Sequence, residues 1–287
     1  MTFNYTTSPT LSNDTFWKGL GVYMSYFATF TDAGTYGYWN IAPGPNSTFV
    51  FTFNPFWGGN LTEPQLKALV APFLKDLTNL GIPVNPVYTQ YSSFYPAWNA
   101  SFPPEVVGSW TNHAASRLFP REHFANSSQI SATLSAVRHA LEGGNAVLVG
   151  YNIKSAANPP SHVDQNNAVN PAWRNTLTHF ILAALWGEDT SFTEIASISE
   201  TMTNDWMARW RAVSPGAGSY MSESDINEPN FQQAFFGSNY ARLYAIKQQL
   251  DPSGLLYSPQ GVGSEDWYIT GQIPYLPTQN GKLCRKK

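Results

Sequence analysis

Five histidines, at positions 113, 123, 139, 162 and 179, a single cysteine, Cys284, and fifteen tyrosines are the side chains here best able to move protons or hold metals. No two histidines stand at the i, i+4 spacing that places both imidazoles on one helix face, so a helical zinc site lacks its ligands. One cysteine excludes an internal disulfide and any multi-cysteine metal centre, and no metal site is expected. No G-x-S-x-G elbow presents a nucleophilic serine, and no phosphate-binding P-loop appears. "GAGSYM" and "GVGSED" contain paired glycines but do not complete G-x-G-x-x-G, and they read as turns. The chain therefore carries no self-contained catalytic motif.

One stretch near the end is unusual in another way. "GSNYARLYAIKQQLDPSG" (237–254) reads as a helix with Tyr240, Leu243, Tyr244, Ile246 and Leu250 on an apolar face. Asp251-Pro252 stops it, because proline lacks the N–H that a helix interior needs. Asn239 and Arg242 stand on its opening turn, and the residues there must face something polar.

The elements that would position such residues alternate irregularly, which predicts an α+β fold rather than a regular βαβ series. Helices are expected at 13–30, with Asn13 as N-cap, and at 62–80, where Thr62 and Gln65 make a capping box and Pro72 should kink the axis. Further helices are expected at 128–144 and 192–212. Strands are expected at 35–41, 48–53, 84–91, 145–153 and 171–186, with 92–126 irregular. "SPGAG" (214–218) marks the best boundary, giving a first unit over 1–215 and a second over 216–287.

Charged residues are only 12% of the chain and the net charge is −3, with no basic stripe, so nucleic acid is not an expected partner. No apolar run reaches the length needed to cross a membrane. No signal peptide is visible. Six N-x-S/T sequons, at Asn4, Asn13, Asn46, Asn60, Asn99 and Asn126, exceed the roughly four expected by chance in so Asn- and Thr-rich a sequence. They point to a secretory or extracellular location for the full-length protein.

Residues 214–267 resemble the C-terminal segment of FAD-linked oxidases related to berberine bridge enzyme. That family carries Y-x-N-x-x-D, an aromatic helix, and then N-[YF]-x-R-L-x-x-[IV]-K-x-x-x-D-P. Tyr220, Asp225, Asn239, Tyr240, Arg242, Leu243, Ile246, Lys247, Asp251 and Pro252 match it, whereas Ser222 stands where the family has Asn. "DAGTYGYW" and "NAVNPAWRNTL" resemble the filamentous-fungal branch, so the likeness covers essentially the whole chain. The flavin-binding half with which family members begin is absent, which implies a C-terminal half: a split gene, a truncated gene model, or one part of a two-chain enzyme.

The resemblance implies an antiparallel sheet covered on one face by helices, and a closing segment that packs back onto the flavin domain. It implies FAD as cofactor, a small organic substrate, O2 as electron acceptor, and a role in secondary metabolism. Tyr220 is the implied catalytic base, with an ordinary half-buried aromatic as the alternative, since a phenol ordinarily titrates near 10 and needs help to act at neutral pH. Asn239, with Tyr240 beside it, would face the isoalloxazine; equally, Asn239 could cap its own helix. Tyr36, Tyr38, Tyr151, Trp173, Asn175 and His179 would line the substrate pocket, with plain packing as the alternative for each. The plant members' glutamate base has no counterpart in "AVLVGYNIKS", which offers Tyr151, Asn152 and Lys154 but no carboxylate. Expressed alone, the chain is expected to hold no FAD, having no loop for the pyrophosphate. The segment 216–270 is expected to leave Phe231, Phe235 and Leu243 in an exposed patch. Two rival readings are a secreted carbohydrate-binding or carbohydrate-active protein and a non-catalytic remnant.

Overall fold

The structure is a computed structural model that describes residues 1–102, 108–153, 166–278 and 280–286. His162 and Lys154 lie outside the described residues.

The first helix, α1 (Asn13–Asp32), begins where Ser12 Oγ accepts the Thr15 N–H, so Ser12, not Asn13, is its N-cap. Phe16, Leu20, Tyr23, Phe27 and Phe30 recur at helical spacing, and all are buried against the sheet. Helix α2 (Glu63–Asn79) starts with the expected box, Gln65 accepting the Thr62 N–H at 2.8 Å, and runs unbroken through Pro72. α3 (Phe94–Ser101) is a short helix with no buried residue. α4 (Ser127–Glu142) is capped by Asn126. α5 (Phe192–Thr201) leads through a π-helical turn into α6 (Met207–Val213), and α7 (Tyr240–Leu250) follows later.

Strands β1 (Phe3–Thr6), β2 (Thr35–Gly44), β3 (Thr48–Gly58), β4 (Asn112–Pro120), β5 (Ala146–Asn152) and β6 (Thr176–Leu185) form one sheet, ordered β1-β3-β2-β5-β6-β4. Every pairing is antiparallel. The α+β sheet-and-helix architecture is thus as expected. A small hairpin, β7 (Trp267–Ile269) with β8 (Leu283–Arg285), closes the chain.

Alternation along the strands decides which side is which. Trp39, Ile41, Phe51, Phe53, Leu148, Phe180 and Leu182 point to the helices and are fully buried. Each such side chain contributes about 1.5–3 kcal/mol of hydrophobic stabilisation. Their neighbours Tyr36, Tyr38 and Tyr151 point the other way. Inside the core, Asn152 Oδ1 accepts from both Tyr23 Oη (2.7 Å) and Trp39 Nε1 (2.8 Å). Gly150 is required beneath Trp39, because a Cβ there would lie 2.1 Å from the indole.

Three expectations need correction. Residues 84–91 are not a strand: Pro86 offers no N–H, and only Val87 bridges to Thr2. The region 92–126 is not irregular, since it contains α3 and β4. The strand expected over 171–186 begins only at Thr176, after a 3-10 turn over Pro171–Arg174.

Candidate functional site

The face of the sheet opposite α1 carries a continuous row of rings, and α3 reaches it only at one end, where Phe94 lies 5.6 Å from Trp57 and Phe102 lies 5.4 Å from Tyr38. Register places Tyr38 opposite Tyr151 and Tyr151 opposite His179. Their ring centroids lie 5.1 and 6.0 Å apart, with Tyr151 and His179 stacked at 21°. Tyr36 extends the row on one side, 6.5 Å from Tyr151 and 5.8 Å from Trp57. Trp173 and Tyr220 extend it on the other: Trp173 meets His179 at 5.6 Å, and Tyr220 meets Trp173 at 5.7 Å and His179 at 6.0 Å, both edge to face. Five of the six expected pocket residues and the expected base therefore share one surface. Trp173 reaches it from the 3-10 turn, not from the strand.

Asn175 does not join them. Lying before the strand begins, it donates to Glu122 Oε2 at 2.6 Å on the exposed end of the sheet. Alternation counted back from His179 had placed it on the wall, but the 3-10 turn breaks the count.

Tyr220 reaches the wall because the chain after α6 crosses the edge of the sheet. Gly218 bridges to Leu118 on β4, and Ser219 Oγ donates to Ser116 O at 2.7 Å. Arg117, almost fully buried, donates to Ser214 O at 2.9 Å, and burial lowers its guanidinium to about 10. Beyond Tyr220, buried Asp225 accepts from the Asn227 N–H (2.8 Å) and lies 3.0 Å from His113 Nε2. The other His113 nitrogen is 2.9 Å from Ser199 Oγ. This Ser–His–Asp arrangement is sealed from solvent, so it ties the C-terminal segment to β4 and α5 and is no hydrolase triad. Tyr220 itself is 38% exposed, and its hydroxyl meets no hydrogen-bond partner among the described residues.

His179 is buried, and desolvation lowers its imidazole to about 4, so it is uncharged at neutral pH. Its Nε2 has no partner among the described residues. Burial, reinforced by Tyr38 and Glu223, pushes the Tyr36 phenol up to about 12. A separate cleft of about 600 Å³ adjoins the wall through Trp57 and Phe94, but its carboxylate, Glu63, is already paired with Lys67 at 2.6 Å.

The two residues expected to meet a flavin are engaged elsewhere. Asn239 makes no cap on its own helix. Its Nδ2 donates instead to Val169 O (2.9 Å) and Asn167 O (3.2 Å), tying the helix start to the loop before β6. Tyr240 donates to Glu265 and accepts from the Gly263 N–H at 3.1 Å, and burial chiefly pushes its phenol up to about 12. Both amide hydrogens of Asn239 are therefore spent, and its Oδ1 is what it can offer a ligand.

The exposed patch expected from Phe231, Phe235 and Leu243 does not form, because these side chains pack on one another. Phe235 is buried with Ala234 and Phe236, with Phe231 and Leu243 packed on them. No residue of α7 is buried, and Leu250, Leu255 and Leu256 are 81%, 85% and 74% exposed. All six sequon asparagines are exposed, although Asn13 is bonded to Glu142 and Asn126 is spent as a cap.

A family model described as berberine and berberine like matches residues 219–263. Among curated proteins, the FAD-linked oxidoreductase ZEB1 of Gibberella zeae is 30% identical over 279 residues, 96% of this chain and 45% of that protein. The FAD-linked oxidoreductase patO of Penicillium expansum is 31% identical over 276 residues, with the same two shares. Among solved structures, the VAO-type flavoprotein MtVAO713 from Myceliophthora thermophila has the same fold, with a TM-score of 0.84 at 21% identity, over 99% of this chain and 50% of that one. The chain thus spans about half the length of the proteins it matches.

Proposed function

Because this chain belongs to the berberine bridge enzyme-like family of FAD-linked oxidoreductases, we propose that it forms the substrate-facing wall of a flavin-dependent oxidase. Its substrate is a small organic molecule, O2 takes the electrons, and the fungal relatives support a role in secondary metabolism. The observation that carries the reading is the ring row from Tyr36 to Tyr220 on the side of the sheet opposite α1.

FAD, when bound, supplies the acceptor for a hydride from the substrate's C–H. This chain's residues bind and orient. Tyr38, Tyr151 and Trp173 offer faces and edges on which a flat, uncharged molecule packs. Neutral His179 underlies the row without adding charge. Tyr220, at the rim, presents a hydroxyl with no other engagement to the substrate's reacting O–H. The FAD-binding portion corresponds to the part of the relatives' length that this chain does not span, in a longer protein or a separate chain. The uncovered apolar side chains of α7 and the loop after it, Leu250, Leu255 and Leu256, give that portion a surface to pack on. The exposed sequons support passage through the secretory pathway.

The test joins this chain to the FAD-binding half of a relative and follows anaerobic bleaching of the flavin with a panel of small alcohols and phenols. Tyr220→Phe should slow reduction by about 10² while substrate still binds. An unchanged rate would leave Tyr220 as packing, and no bleaching by any substrate would remove the oxidase reading.

A further inference from the structure

Among the described residues the wall holds one carboxylate, Glu223, and it comes from the C-terminal segment rather than from a strand. We infer that Glu223 is the final acceptor of the substrate's hydroxyl proton, and so a catalytic residue of this face; the inference rests on the oxidase reading above.

Its position follows from a tight turn. The Glu223 N–H donates to Tyr220 O at 3.0 Å, which folds the side chain back over the sheet toward β2 and β6. Oε2 comes to 3.8 Å from His179 Nδ1, and its charge is felt by the Tyr36 phenol. The His179 contact is too long for a hydrogen bond. It is not an ion pair either, because the imidazole is neutral above about pH 4. No lysine or arginine among the described residues pairs with Glu223. Burial raises its carboxyl above the usual range, toward the values at which a general base works best near neutral pH.

The contrast with its neighbours is what singles it out. Asp225 is held at His113, Glu228 by Arg211, Asp251 by Lys247, Glu265 by Tyr240 and Gln232, and Asp266 by Tyr244 and Gln248. Each of those carboxylates already has a donor. Glu223 is 42% exposed and faces the ring row with none. Leaving a half-desolvated anion without a donor costs stability, and the cost is offset if a substrate hydroxyl completes the site.

The step balances with groups already named. As the substrate's C–H hydride and its electron pair leave to FAD, the O–H proton passes to the Glu223 carboxylate, and the carbon–oxygen single bond becomes a carbonyl. Glu223 becomes a carboxylic acid and returns its proton to water before the next turnover.

The first arm of the test needs no flavin. Para-nitrophenol ionises near neutral pH, so the chain can be offered the neutral phenol and the phenolate in one titration, followed by visible absorbance. Of the titratable groups beside Glu223, His179 stays neutral and Tyr36 stays protonated in this range. The wild-type chain should bind the neutral phenol at least about tenfold more tightly than the phenolate, because a carboxylate repels a second anion at short range. In Glu223→Gln that preference should vanish. An unchanged preference in E223Q, or no binding of either form, would overturn the inference.

The second arm uses the chain joined to an FAD-binding half. E223Q should slow flavin reduction by about 10² with little change in KM, and Glu223→Asp should restore part of the rate. Wild-type reduction in E223Q would overturn the base role. Phenol discrimination as expected, with a flavin that no substrate reduces, would instead sink the oxidase reading and the base role with it, while leaving the carboxylate's place on the wall intact.

Discussion

Replacing Asn152 by Ala tests whether the polar group beneath the wall is a structural necessity. Asn152 is buried, and its Oδ1 accepts from Tyr23 Oη at 2.7 Å and Trp39 Nε1 at 2.8 Å. Its own Nδ2 has no partner among the described residues. Asn152→Ala strands two buried donors, each costing about 1–3 kcal/mol, but removes one stranded amide of similar cost. The net loss is about 1–3 kcal/mol, a sizeable share of the roughly 5–15 kcal/mol that holds a domain together. Urea denaturation followed by tryptophan fluorescence should show a lower midpoint with the same slope. The second variant gives the sharper reading. Tyr23→Phe alone should cost about 1 kcal/mol, since it removes a hydrogen bond while Trp39 still satisfies Oδ1. On the Asn152→Ala background the same change should stabilise, because it deletes a hydroxyl left with no acceptor. Equal effects of Tyr23→Phe on both backgrounds would refute the reasoning.

Other outcomes follow from single positions. Gly150→Ala should cost about 3 kcal/mol by thermal or urea unfolding, because its Cβ would meet the Trp39 indole at 2.1 Å with Asn152 holding that ring in place. His179 titrates at about 4 when folded against 6.5 as the ordinary value, so the unfolded chain binds the extra proton first. Stability should therefore be full above pH 6.5 and fall by up to about 3 kcal/mol as pH drops to 4, and His179→Phe should flatten that part of the profile. Asp225→Ala strands His113 and the Asn227 N–H, and amides of residues 219–230 should exchange hydrogen markedly faster while those of β5 do not. Exchange that rises equally everywhere would mean the contact supports the whole fold rather than anchoring this segment.

The sequence by itself determined the helices and strands whose pattern is local. In α1, α2 and α4 the helical period, the caps and the stripe agree, so local preference and burial point to the same structure. β2, β3 and β5 alternate because one face meets the helices and the other meets the wall. The closing segment was legible through a long spaced match to family residues, Tyr220 among them.

Tertiary structure decided the rest. β4 hid inside 92–126 because residues 115–119 are buried on both faces, Ser116 and Arg117 included, so no alternation marks it. Its polar side chains are satisfied by Ser219 and Ser214, about a hundred positions away. Asn239 has a helix-capping side chain at a helix start, yet its amide goes to carbonyls of another loop, a competition no local rule can score. Asn175 left the wall because a 3-10 turn shifted the period, whereas Trp173 reached it from that same turn. Glu223 came nearest to being found, for it stands inside the recognised motif. Nothing in its neighbours says that a turn will lay its carboxylate across two strands, beside His179 and Tyr36. Distance along the chain carries no information about which polar groups will share a surface; packing sets that.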